Sequence, residues 1–120
     1  MSSLLIHITC GPNDPTRAEL GFLVAKAAID EGHEVSMFLA GDAVQLIRDA
    51  VLDNLAGLGT GKLREHYDAI VAAGVTIHLS GMSCVSRGVS DQDLESKPVE
   101  KAMPNVLVQL TMASDRVRAY

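Results

Sequence analysis

The chain has no tryptophan, two phenylalanines, two tyrosines and two cysteines among its 120 residues. Two cysteines cannot build the disulfide framework of a small secreted domain, and in a reducing compartment they are expected as free thiols. Ten Lys and Arg stand against fifteen Asp and Glu, for a net charge of −5, and the basic residues are scattered. Nucleic-acid binding needs an uncompensated cationic cluster, so that class of partner is excluded. No apolar run is long enough to span a bilayer. Met1-Ser-Ser leads straight into Leu4-Leu-Ile-His-Ile8 without the basic region of a secretory signal, so the expected location is the cytoplasm, with no membrane partner.

Several catalytic signatures are also missing. Gly57-Leu-Gly-Thr-Gly-Lys62 resembles a phosphate-binding loop, but Ala56 stands where its first glycine belongs and Leu63 replaces the hydroxyl residue. It also follows a predicted helix, whereas that loop follows a strand, so a nucleoside triphosphatase is excluded. Cys10-Gly-Pro-Asn lacks the glycine pattern of a dinucleotide fingerprint. The four histidines, His7, His33, His66 and His78, share no metal-ligand spacing, and no metal or other cofactor is called for. His7 and His78 fall in predicted strands, where facing each other across neighbouring strands competes with the favoured reading of a hydrogen-bonded core histidine. Ser83 lies in no nucleophile elbow.

What is present is 48% hydrophobic and 21% charged, the balance of one globular domain over residues 1–120 with a core large enough to need no staples. Apolar runs alternate with amphipathic stretches. Residues 4–9, 34–40 and 75–79 read as strands. A helix after Pro15 takes Asp14 or Thr16 as its cap, carries an apolar stripe of Leu20, Leu23, Val24, Ala27 and Ala28, and ends at Gly32. A second helix is expected near residues 43–50, and a third follows the glycine loop with Leu63, Tyr67, Ile70 and Val71 on one face and stops at Gly74. Residues 105–110 fit a strand by content, while Pro104 suits a first helical position; residues 116–120 alternate like an edge strand. This alternation predicts an α/β domain with a mostly parallel sheet.

Parallel strands bring their carboxyl ends to one side, where ligands bind in open sheets. Cys10, Asn13, Asp14 and Arg17 follow the first strand, Asp42 the second, and Ser80, Gly81, Met82, Ser83, Cys84 and Arg87 the third. Cys84, beside Arg87 and at the start of a helical turn, has the setting of a stabilised thiolate, with Cys10 as an auxiliary thiol. The competing reading is a space-filling buried cysteine. Helix capping competes for Asp14 and Asp42, and solvated or interface charge for Arg17 and Arg87.

The order of Ile8-Thr-x-Gly11, Asn13-Asp-Pro-Thr-Arg17, Gly32-His-Glu-Val35, Phe38-Leu39, Leu79-Ser-Gly-Met-Ser-x-x-x-Arg-Gly-Val89 and Ala113-Ser-Asp-Arg-Val117 resembles the DsrE/DsrF-like family. The resemblance implies a three-layer α/β/α sandwich with a mostly parallel open sheet of four to five strands, a helix over residues 104–114, and a homotrimer or homohexamer. It also implies intracellular sulfur transfer through a cysteine persulfide, with a sulfur-donor or acceptor protein as partner. The family's reactive cysteine matches Ser80, which cannot hold a persulfide, and Cys84 lies about one helical turn further on. Three functions follow: a persulfide carrier using Cys84, a small-ligand-binding module built on Asn13, Asp14, Arg17, Asp42 and Ser80–Ser83, and an oligomeric scaffold. The last is motivated by the large share of apolar residues in a small chain with few aromatics.

Overall fold

The computed structural model describes all 120 residues. Five strands, β1 (Ser3–Ile8), β2 (Glu34–Leu39), β3 (Ile77–Ser80), β4 (Val99–Ala102) and β5 (Arg116–Ala119), form one sheet in the order β4-β3-β2-β1-β5. Every pairing is parallel. The helices are α1 (Pro15–Asp30), a 3₁₀ segment Gly41–Ile47, α2 (Asp49–Leu52), α3 (Leu63–Ala72), α4 (Gly81–Arg87) and α5 (Pro104–Ala113). None is long and apolar enough to cross a membrane.

Strand alternation divides the sheet into two unequal faces. Ile6, Ile8, Met37, Leu39, Ile77 and Leu79 join Phe22 and Ala25 of α1, Leu46 and Ile47 of the 3₁₀ segment, and Tyr67 and Ile70 of α3 in one buried cluster. Gly21 lets α1 approach closely, because a Cβ there would press on the Ile8 side chain. Running β1 to β4 in one direction keeps the successive crossovers on this face. The return from β4 to β5 spans the whole sheet, and a right-handed connection puts α5 alone on the opposite face. One helix is about 10 Å across, whereas five strands span about 19 Å. The second layer is therefore incomplete: Leu5 and Phe38 are buried, but α5 buries none of its own residues and leaves Val108 and Met112 exposed.

The sequence expectations hold for β1, β2, β3, the β5 edge and both helix-ending glycines, Gly32 and Gly74, which adopt positive φ. Asp14 caps α1 by accepting from the Arg17 amide. The α1 stripe is different: α1 buries Ala18, Glu19, Gly21, Phe22, Ala25 and Ala28, leaving Leu20 and Ala27 exposed. The expected helix near residues 43–50 divides into the 3₁₀ segment and the single turn α2. Asp42 does not cap it; its carboxylate bonds Arg87. His7 and His78 are not on neighbouring strands, because Phe38 of β2 lies between them in register and stacks on His78.

Candidate functional site

After β3 the chain turns into α4 on the crowded face, and after β4 it turns into α5 on the other. The carboxyl ends of β3 and β4 are thus a topological switch point, the usual place for a ligand crevice. A cavity of about 370 Å³ lies there, lined by Gly81, Lys101, Ala102, Met103, Asn105 and Val106. Gly81 comes from the predicted loop; Lys101 belongs to β4 and Asn105 to the start of α5, and neither was expected at the site.

Ser80 ends β3 and uses its hydroxyl to accept from the Ser83 amide at 3.2 Å, capping α4. Ser83 Oγ in turn accepts from the Gly41 amide at 2.9 Å. Arg87 donates through Nε to Asp42 at 2.7 Å and through Nη1 to Ser86 Oγ. Gly11 packs so tightly on this turn that a Cβ would overlap the Asp42 carbonyl. The loops after β1, β2 and β3 therefore converge as the sequence implied, joined through Gly11, Gly41, Asp42, Ser83 and Arg87. Met82 projects into solvent.

Cys84 occupies the inner face of α4, 1% exposed and within the aliphatic cluster. Burial pushes its thiol above the ordinary range, with Lys101 and Arg48 pulling the other way. The cations acting on this sulfur are thus not Arg87, whose guanidinium is engaged by Asp42. Lys101 is itself held by Asp91 at 2.5 Å, and Arg48 donates to the Arg87 carbonyl at 2.8 Å. Cys10 is also buried and free; burial first and Asp14 second raise its thiol, against Arg17. The charged groups acting on the two sulfurs differ: Lys101 and Arg48 at Cys84, Asp14 and Arg17 at Cys10. Asn13 accepts from the Gly11 amide at 2.8 Å, and Arg17 lies 3.6 Å from Asp14 at the surface. These two residues and Asp14 shape the α1 entry.

Both thiols should therefore resist alkylation near neutral pH in the folded chain and react at free-thiol rates once it is unfolded in urea. Because a folded thiol held above its unfolded value resists ionisation, stability should fall as pH rises through the ordinary thiol range. Fast native labelling of Cys84 would contradict the buried geometry.

The family model of the DsrE/DsrF-like family matches residues 2–117. No curated protein matches the chain. Among solved structures, the crystal structure of ychN protein from E. coli aligns with a TM-score of 0.84 at 21% identity, covering 100% of both chains. A conserved protein of unknown function, BT1422 from Bacteroides thetaiotaomicron, aligns with a TM-score of 0.69 at 14% identity, covering 99% of this chain and 95% of that one.

Proposed function

Because the chain belongs to the DsrE/DsrF-like family over residues 2–117, we propose that it acts in sulfur relay as an oligomeric binding or partner subunit that does not itself carry sulfur. One observation carries this reading: the strand-end position holds Ser80, whose oxygen is spent on capping α4, and the nearest thiol in sequence, Cys84, is buried. A sulfur relay needs an accessible thiolate to attack the donor's sulfur. Neither condition is met by Cys84 in the single chain. Residues 1–120 work as one domain, and two free thiols suit the reducing cytoplasm. The crevice between β3 and β4, with Gly81, Lys101 and Asn105, is the ligand site of this reading.

The incompletely covered sheet face supports assembly into a trimer or hexamer. Val108, Met112 and Val117 are exposed on α5 and β5, and apolar surface of this kind marks subunit contacts.

Relay through Cys84 is the second reading, favoured by the fields of Lys101 and Arg48 at its sulfur. Incubation of the native chain with a sulfane-sulfur donor, read by intact mass, separates the two. The expected result is no added sulfur. An adduct that disappears in Cys84→Ser would establish the relay reading instead.

A further inference from the structure

β5 borders the sheet beyond β1 and pairs with no other strand. Tyr120, just past its end, turns its backbone toward β1, donating to the His7 carbonyl and accepting from the Thr9 amide. In a parallel ladder a residue's N–H and C=O point the same way, and successive residues point to opposite sides. Arg116 and Arg118 therefore also face β1, while the N–H and C=O groups of Val117 and Ala119 point outward, where no other backbone group of the chain meets them.

The side chains of this strand carry charge that the rest of the molecule leaves unanswered. Of the ten Lys and Arg, all but Lys26, Lys62, Arg116 and Arg118 are in ion pairs. Register places Arg116 and Arg118 on the α1 face, in line with Leu4 and Ile6, and Val117 and Ala119 on the α5 face. Two residues apart on one strand, the arginine positions are spaced by about 7 Å. Asp115 gives its carboxylate to the Ser3 amide and hydroxyl, and Arg116 donates to the Asp115 carbonyl rather than to that carboxylate. A hollow of about 270 Å³ lined by Ser2, Ser3, Leu4, His33 and Arg116 opens beside the strand.

We propose that the free edge of β5 takes up an extended acidic segment of another protein as a sixth strand, its backbone bonded to Val117 and Ala119 and its alternate carboxylates set against Arg116 and Arg118. Backbone and charge select this occupant together. Outward N–H and C=O groups accept any extended chain, and the guanidiniums decide which. A second β5 laid alongside would bring arginine against arginine, and like charges on facing strands repel, so the edge is guarded against its own copy. An acidic strand instead meets both guanidiniums at its own two-residue repeat. Charges more than about 8 Å away are screened at physiological salt, so this local basic edge, not the net charge of −5, meets the partner.

The inference concerns a surface away from the crevice between β3 and β4 and does not depend on sulfur chemistry. It is tested on the full chain with a short peptide of alternating glutamate and valine, followed by fluorescence anisotropy and by amide exchange. The expected result is binding that protects the Val117 and Ala119 amides, that weakens about tenfold when Arg116→Gln and Arg118→Gln are combined, and that disappears when the peptide is N-methylated throughout. Both arginines are exposed, so circular dichroism and Tm should not change in the double variant. Absence of binding overturns the proposal, as does binding that leaves Val117 and Ala119 exchanging as in the free chain. Equal affinity for a peptide of the same composition with its glutamates in one block would reduce the effect to general charge attraction and overturn it too.

Discussion

Glu19→Ala should lower the unfolding free energy by about 3 kcal/mol, because it strips the acceptor from a half-buried amide and breaks a buried polar pair at once. The carboxylate is wholly inaccessible, so water cannot replace it without opening the fold. The Gly57 amide loses its partner, and His66 loses the carboxylate 3.3 Å from Nε2. Glu19→Gln separates the two losses. Its carbonyl still accepts from Gly57, but its NH2 group then faces a ring nitrogen whose proton is already committed to the Thr60 carbonyl 2.6 Å away, so roughly half the effect should remain. Urea unfolding gives the total, and amide exchange at Gly57 and Leu58 gives the local part. Equal stability of wild type and Glu19→Ala would mean that the glycine-rich loop before α3 is not held by Glu19 and His66.

Gly11→Ala should cost about 3 kcal/mol, the upper end of overpacking effects, because the added methyl meets backbone. The Asp42 carbonyl lies inside the radius of the new Cβ, and the Ala43 amide nitrogen is 3.3 Å away. Relief requires moving the turn that leads from β2 into the 3₁₀ segment. That turn carries Asp42 against Arg87 and the Gly41 amide against Ser83, so the substitution should also loosen α4. Gly81→Ala is the matched control, since its nearest non-local atom would be the Ala102 carbonyl oxygen at a comfortable 3.7 Å. Thermal unfolding should rank the variants Gly11→Ala well below Gly81→Ala. The reverse order would mean that the strand-end loops adjust independently.

Where local signals agree with tertiary packing, the sequence is readable. Asp14, Gly32 and Gly74 mark helix ends by side-chain and backbone chemistry that needs no knowledge of the rest of the fold. β1 and β2 read as apolar runs because a central strand in a parallel sheet is covered on both sides. β4 escapes notice because Val-Glu-Lys-Ala sits at the sheet edge, where two charges are tolerated and only four residues pair. Residues 105–110 are helical in the structure, as the family resemblance implied and composition alone did not decide. The α1 stripe is misread because burial of Glu19 and exposure of Leu20 reverse the usual preference. Only the distant partners Gly57 and His66 make that arrangement favourable.

The convergence of the strand-end loops follows from parallel topology and was legible. The partners within it were not. Arg87 chooses Asp42, 45 residues away, over the thiol three residues back in the same helix. Cys84 faces inward because α4 packs against the 3₁₀ segment and the sheet, and the facing of a seven-residue helix is settled by neighbours rather than by its own periodicity.

The pairing of β1 with β5 has a bearing on how the protein is made. Ser3 and Asp115 clasp each other through backbone and side chain, and Thr9 bonds the Tyr120 carbonyl, over separations of 112 and 111 residues. Loop-closure entropy makes contacts so far apart in sequence late to form. A nascent chain on the ribosome can build β1 through β4 in order, yet the flank of β1 stays bare until Arg116–Ala119 emerge. During that interval the edge is open to strand exchange with another copy, and the arrival of β5 is the event that seals it.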